Sequence, residues 1–212
     1  MKALLSYGIA LAGLAVVVLA LLKAMATNLS YPGAKLMLTN LLRTNPNKAE
    51  AVCKSLPGTF FEPLASTFNT IAQIGMRDPN IVIQTTRPTF DGIAKGVIQG
   101  FNAHMTKAKL GMMAVVGGLV LSVLMATKPA EPKPDDPNYD PTADVVEVEE
   151  PGFFSGPGPF IIIFLLAGAG AGMIYARKAD LERSIVRARA ELLPELEKSI
   201  IEGRYQFPPK KA

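Results

Sequence analysis

The chain has 212 residues, of which 49% are hydrophobic and 19% charged, and its formal net charge at pH 7 is +4. It contains one cysteine, one histidine and no tryptophan. A single cysteine excludes a disulfide within the chain, and so small a net charge does not indicate a nucleic-acid partner. One histidine and one cysteine are also poor material for a metal site or a Cys/His catalytic pair. We therefore expect no enzyme activity, no cofactor and no metal.

Apolar residues are concentrated in three blocks, which predict transmembrane helices at residues 1–23, 110–127 and 159–176. The apolar part of the first span is residues 3–22, and at about 1.5 Å per residue the three apolar blocks cover roughly 27 to 30 Å each, the thickness of a bilayer core. A cleavable signal peptide is the alternative for the first block, since Lys2 precedes it and Ala24-Met25-Ala26 resembles a cleavage site. Its apolar part exceeds the usual length of about 7 to 15 residues, which favours a retained span.

The segments between the spans differ in charge. Residues 23–109 hold ten Lys and Arg against four Asp and Glu, residues 128–158 hold two against eight, and residues 177–212 hold nine against six. Basic residues near span ends stay in the cytoplasm, so we expect residues 24–109 and 177–212 to be cytoplasmic. The N-terminus and residues 128–158 then lie outside a multi-pass protein of the inner (cytoplasmic) membrane. The basic segments would also suit anionic membrane lipid.

Local signals divide the first cytoplasmic segment into short helices. Asn45 and Asp78 each precede a proline, which is typical of a capped helix start. Thr59 and Glu62 have the spacing of a capping box. The apolar residues between these signals recur at helical spacing and predict one buried face: Phe60, Leu64, Phe68, Ile71 and Ile74.

Three longer segments follow. A single helix of about 40 residues is expected from Pro88 onward, because no strong breaker occurs before Pro129. Residues 128–158 are acidic and rich in proline, which predicts an extended outer loop. After the third span we expect an amphipathic tail helix, bent at Pro194 and packed on other helices. Its apolar stripe consists of Leu181, Ile185, Ala188, Leu192, Leu196 and Ile200.

The third span carries Gly168, Gly170 and Gly172, a pattern that resembles a phosphate-binding loop. Such a loop requires a strand before it, whereas residues 160–176 form an uncharged run typical of a span. Small residues in a membrane instead allow close contact between helices. We predict that two further groups of glycines also make close helix contacts: Gly92, Gly96 and Gly100, and Gly117 and Gly118. Such contacts between copies of the chain predict a homo-oligomer.

Few polar side chains occur in the predicted spans. Ser122 lies deep in the second span, whereas Thr127 and Tyr175 lie near span ends. These three residues are the candidates for an ion path, because polar groups inside a membrane are usually functional. The simpler interpretation of Ser122 is a serine that bonds to its own helix.

The layout of spans and cytoplasmic helices resembles that of the ExbB/TolQ/MotA proton-channel family. The stretch NPNKAEAVCKSLPGTFFEPLAST, residues 45–67, is similar to the family's small helix of the type A-x-x-x-C-(K/R) before a proline-containing turn. The resemblance implies an all-α membrane protein with three transmembrane helices, a cytoplasmic helical segment and a cytoplasmic C-terminal helix. It further implies a pentamer around a dimer of a single-span ExbD/TolR-like partner, with proton flow coupled to work in the cell envelope.

Two spans depart from the family pattern. LGMMAVVGGLVLS, residues 110–122, has glycines at Gly111, Gly117 and Gly118 but lacks the threonine of the family's Gly-Leu-Leu-Gly-Thr motif. Residues 160–174 have neither a hydroxyl nor an acidic side chain. A non-conducting membrane scaffold or anchor subunit is therefore the alternative function.

Overall fold

The computed structural model describes residues 2–26, 29–126 and 158–208, and these residues contain helices but no strand. Thr127 and the predicted acidic loop, apart from its last residue Gly158, lie outside the described residues. The helices are α1 (Lys2–Ala26), α2 (Tyr31–Thr44), α3 (Pro46–Lys54), α4 (Phe61–Ile74), α5 (Pro79–Ala126) and α6 (Gly158–Ile201).

Three of these helices, α1, α5 and α6, contain segments long and apolar enough to cross a membrane. α1 has 25 residues, whereas α5 has 48 and α6 has 44, and each of the two longer helices joins an apolar part to a charged part. The predicted all-α fold with three candidate spans is therefore confirmed. The side of the membrane on which each segment lies stays a prediction.

Two of the three predicted capping signals, Asn45 and Asp78, begin their helices. The predicted capping box of Thr59 and Glu62 is wrong, because α4 has Phe60 at its N-cap and the Glu62 carboxylate accepts from the backbone N–H of Gly58. The side chain of Asn45 accepts a hydrogen bond of 3.1 Å from the backbone N–H of Lys48, and α3 starts at Pro46. The carboxylate of Asp78 accepts bonds of 2.9 and 3.2 Å from the N–H groups two and three residues ahead, and α5 starts at Pro79. These side chains satisfy N–H groups that have no partner within the helix.

The long helix α5 extends further back than predicted, since it includes Pro88 in its interior instead of beginning there. A proline inside a helix removes one backbone hydrogen bond and costs about 3 kcal/mol. Val82 and Phe90 lie on either side of Pro88 in the sequence and are fully buried. Each buried side chain of this size contributes about 1.5 to 3 kcal/mol, so core packing offsets the cost of the proline.

The chain divides into two compact units. The first, here called the span unit, comprises Met1–Leu19 and Lys107–Ala171. The second, here called the helical unit, comprises Ala20–Thr106 and Gly172–Ala212. α1, α5 and α6 contribute residues to both units, whereas α2, α3 and α4 belong to the helical unit alone.

The helical unit has an apolar core to which both predicted faces contribute. On the α4 side, Ile74 is half-buried and the other predicted residues are at most 1% exposed: Phe60, Leu64, Phe68 and Ile71. On α6, Leu181 is partly buried and the rest of the predicted stripe is at most 5% exposed: Ile185, Ala188, Leu192, Leu196 and Ile200. The prediction that the tail helix packs on other helices is confirmed.

The segment after α6 folds back onto the same core. Tyr205 is fully buried, its ring centroid lies 5.2 Å from that of Phe68, and its hydroxyl donates a hydrogen bond of 2.7 Å to the carboxylate of Glu50. The guanidinium of Arg77 donates to the carbonyl oxygen of Tyr205 at 3.2 Å. Asn47 and Gln206 exchange two hydrogen bonds of 2.7 and 3.1 Å. This segment therefore ties α6 to α3 and α4.

Candidate functional site

One face of α1 in the span unit consists of small buried residues. Ser6, Ala10, Gly13 and Val17 are all buried and recur at intervals of four, three and four. That spacing places them on a single stripe of the helix. The stripe contacts α5 in the span unit.

The contact between α1 and α5 depends on glycine. A Cβ atom added to Gly118 would lie 2.9 Å from the carbonyl oxygen of Ser6 and 3.0 Å from the Cβ of Ala10. One added to Gly111 would lie 2.7 Å from the carbonyl oxygen of Gly13, and one added to Gly13 would lie 2.6 Å from the carbonyl oxygen of Gly111. Side chains cannot occupy these positions without moving backbone, so the two helices pack backbone to backbone as small residues allow in membranes.

The third helix completes the packing of the span unit. Phe160 of α6 is 1% exposed and stacks on Tyr7 of α1, with ring centroids 4.3 Å apart and planes inclined by 24°. Ile163 and Ala167 continue its buried face into the same core as Ala10 of α1. The interior of the span unit is thus filled by apolar and small side chains.

Only part of the predicted glycine set lies in such contacts. Gly118 lies in the contact between α1 and α5. Gly13 lies there too but was not predicted. Its helical spacing from Ser6 and Ala10 is a signal that could have indicated it. Gly170 is buried. At the remaining predicted glycines, an added Cβ would meet no atom of the described residues within 4 Å: Gly92, Gly96, Gly100, Gly117, Gly168 and Gly172. Their contact with a second chain stays a prediction.

The predicted ion-path residues do not form a cluster within either unit. Ser122 lies in the span unit, where it is half-buried, and its hydroxyl makes no hydrogen bond to another described residue. Tyr175 belongs to the helical unit and is 46% exposed. Thr127 lies outside the described residues. The expected bond from Ser122 to its own helix is therefore not seen.

Polar side chains of α6 pair with other elements of the helical unit. Glu197 is 5% exposed and accepts a hydrogen bond of 2.6 Å from the hydroxyl of Thr86 on α5. Arg189 forms an ion pair of 2.7 Å with Asp91, also on α5. Such pairs fix the position of α6 on its neighbours and leave its carboxylates engaged in structural contacts. Among the described residues, no group of His, Cys, Asp and Glu is arranged to hold a metal ion.

In comparisons with known proteins, no family model matches the chain, and no curated protein or solved structure matches it significantly. The resemblance to the ExbB/TolQ/MotA family therefore depends on the layout and on residues 45–67. The structure contributes three further observations: the glycine contact between α1 and α5, the glycines at which an added Cβ would meet no described atom (here called open glycines), and the apolar core of the helical unit.

Proposed function

We propose that the chain is an ExbB/TolQ/MotA-like subunit of a proton-motive-force-coupled complex of the inner membrane. The observation that supports this proposal is the order of its helices. One apolar helix, α1, comes first, three short helices follow, and two long helices, α5 and α6, each join a candidate span to a part packed in the helical unit. This order is the layout on which the family resemblance rests.

Continuous helices suit a subunit that does mechanical work. α5 and α6 have no break between their apolar and charged parts, and their charged parts are held by buried side chains such as Phe90 and Leu192. Rigid, packed helices transmit a displacement between sites because they shift as bodies. Helices of this kind suit the proposed coupling of proton flow to work.

Open glycines and an apolar groove support assembly with further chains. Gly117 lies in an apolar groove of about 500 Å³ on α5, together with Met113, Val120 and Leu124. No atom of the described residues lies within 4 Å of the point where a Cβ on Gly117 would be, so another helix could approach there. Such a neighbour would also bring polar groups toward Ser122. The Ser122 hydroxyl makes no hydrogen bond to another described residue, and a hydroxyl without a partner is costly in a dry membrane. The ion path would then run between chains.

A non-conducting scaffold or anchor subunit is the second candidate function. This function is supported by the apolar packing of the span unit. Among the described residues of that unit, Ser6 alone has a buried polar side chain. A subunit with this interior can hold partners in the membrane without a wet path of its own. The two candidates share the assembly surfaces and differ in conduction.

Proton uptake by reconstituted vesicles separates the two functions. The complex is purified from native membranes with its associated proteins, which are identified by mass spectrometry, and is placed in vesicles under an imposed potential. The channel function predicts uptake that falls in Ser122→Ala and is retained in the matched variant Ser122→Thr, which keeps the hydroxyl, with the oligomer intact in both. If the wild-type complex takes up no more protons than empty vesicles, the scaffold function replaces the channel.

A further inference from the structure

A polar cleft of about 360 Å³ lies in the helical unit between the start of α2 and one face of α6. α2 contributes its N-cap Ser30 and first residue Tyr31, with Leu29 just before them. α6 contributes Arg177, Asp180, Arg183, Ser184 and Arg187. Four of these, at positions 177, 180, 184 and 187, recur at intervals of three and four, so a single face of the helix lines the cleft.

The lining carries an excess of positive charge. Arg177, Arg183 and Arg187 contribute three cations against the single carboxylate of Asp180. Arg183 lies 4.0 Å from Asp180, the outer limit of an ion pair, and its side chain is 75% exposed. Arg187 forms no ion pair with any described residue and lies with its Cζ atom 5.9 Å from the centre of the Tyr31 ring. Arg187 also lies near the carboxylate of Glu191, whose pKa is lowered by its hydrogen bond from Lys35 and, more weakly, by the charge of Arg187. Arg183 is therefore the less engaged of the two guanidinium groups, and neither makes a close ion pair with a described residue that a ligand would have to break.

Neutral donors surround these cations. The hydroxyls of Ser30 and Ser184 line the cleft, and Ser30 makes no side-chain cap on α2. The first N–H groups of a helix have no partner inside it and carry the positive end of the helix dipole. Arginine guanidinium groups, hydroxyls and the N–H groups of a helix N-terminus are the hydrogen-bond donors that bind phosphate groups in proteins.

The position of the cleft along the chain indicates the source of that phosphate. Arg177 is the first charged residue after the uncharged residues 160–176, so the cleft begins where the candidate span ends. The headgroup layer on each side of a bilayer core is about 5 to 8 Å thick. At about 1.5 Å per residue, Arg177 and Asp180 lie within that layer, whereas the backbone of Arg183 and Arg187 lies about 10 and 16 Å beyond the span. Side chains of a helix lean toward its N-terminus, which is the membrane end of this part of α6, and basic pockets at such a surface bind anionic lipids.

We propose that this cleft is a binding site for the headgroup phosphate of an anionic phospholipid. Arg183 and Arg187 hold the phosphate oxygens, Ser30 and Ser184 donate hydrogen bonds to it, and Arg177 anchors the site at the membrane surface. The proposal does not depend on the proposed proton-coupled function, because lipid binding by this face is the same in a channel subunit and in a scaffold.

The test uses the full chain in a neutral detergent, titrated with short-chain phosphatidylglycerol, with short-chain phosphatidylcholine and with inorganic phosphate. We expect phosphatidylglycerol to bind and to raise the unfolding temperature, with weaker effects of the other two ligands. Arg183→Gln and Arg187→Gln should each weaken that binding about fivefold, the effect of one basic residue at a membrane surface. Lys198→Gln removes another exposed cation of α6 that lies outside the cleft, and it serves as the matched control.

Each outcome decides the proposal. Equal binding of phosphatidylglycerol and phosphatidylcholine, or equal loss in Lys198→Gln, overturns it, because general attraction to a basic surface then explains the binding. If inorganic phosphate binds as tightly as phosphatidylglycerol, the cleft binds a soluble phosphate, and the proposal of a lipid ligand is overturned. Circular dichroism of each variant shows that the helices are intact, and the double variant Arg183→Gln/Arg187→Gln must lose more affinity than either single change.

Discussion

Two neighbouring glycines on α5 have opposite surroundings. A Cβ on Gly118 would press on the backbone of Ser6 and Ala10, whereas one on Gly117 would have no atom of the described part of the chain within 4 Å. We expect Gly118→Ala to destabilise the protein by about 1 to 3 kcal/mol, the usual cost of overpacking. Gly117→Ala should be neutral or stabilising by up to about 1 kcal/mol, because alanine favours a helix. Thermal unfolding of both variants in one detergent measures the difference, and equal effects would contradict the α1–α5 contact.

The buried thiol of Cys53 provides a second prediction for a single residue. Cys53 is 1% exposed, and its burial, together with the nearby charge of Glu50, raises the pKa of the thiol to about 12. Only the thiolate reacts, so Cys53 should label far more slowly than an exposed cysteine at pH 8 until denaturant is added. A thiol-reactive dye followed with and without denaturant checks this, and rapid labelling of the native protein would show that the site is open.

The same pKa shift predicts a pH dependence of stability. The folded chain keeps the Cys53 proton, whereas the unfolded chain releases it above its ordinary pKa of about 8.5. The contribution to stability is therefore complete below that value and is lost as the pH rises toward the folded pKa of about 12. Cys53→Ala should reduce this alkaline loss when denaturant unfolding is compared at neutral and alkaline pH.

Among the elements, α6 depends on its buried stripe for its position. Leu196 is fully buried, whereas Val186 on the same helix is 66% exposed. Leu196→Ala removes packed atoms and leaves a cavity, so we expect it to destabilise the helical unit by about 2 to 5 kcal/mol. Val186→Ala removes apolar atoms already in contact with solvent and should change stability by less than about 0.5 kcal/mol. Chemical denaturation followed by circular dichroism measures the free energy of unfolding of both variants. Similar losses of stability would show that the apolar stripe of α6 is not part of the core.

Sequence reasoning succeeded for elements whose signals are local. The spacing of Ile185, Ala188 and Leu192 indicated a buried face, and Asn45 and Asp78 marked helix starts, because such patterns depend on residues within a few turns. It missed Gly13 because local spacing marks a stripe of small residues but does not show that the stripe faces Gly111 of α5, far along the chain. It expected the long helix to begin at Pro88, whereas α5 runs through this proline, because burial around Pro88 is a tertiary effect. The polar cleft likewise combines residues of α2 and α6 that no local pattern links.

At the scale of the whole molecule, the predicted topology can be tested by cysteine labelling. Lys198 has an exposed side chain on α6, and Asp140 belongs to the predicted outer loop, outside the described residues. An impermeant thiol reagent added to intact cells should label Asp140→Cys and leave Lys198→Cys unlabelled, because basic segments stay in the cytoplasm. Permeabilised cells should label both. Labelling of Lys198→Cys from outside would reverse the topology.

The buried position of Tyr205 has a consequence for synthesis. The ribosome makes α2, α3 and α4 before α5 and α6, but Tyr205, which packs against Phe68, is made only after α6. Until then the nascent chain exposes an apolar surface to solvent while α5 and α6 are still being synthesised. Partly made chains of this kind are prone to aggregation and are substrates for chaperones. The helical unit therefore cannot complete its core during translation of its own first half, and its folding must follow the synthesis of α6 and of Tyr205.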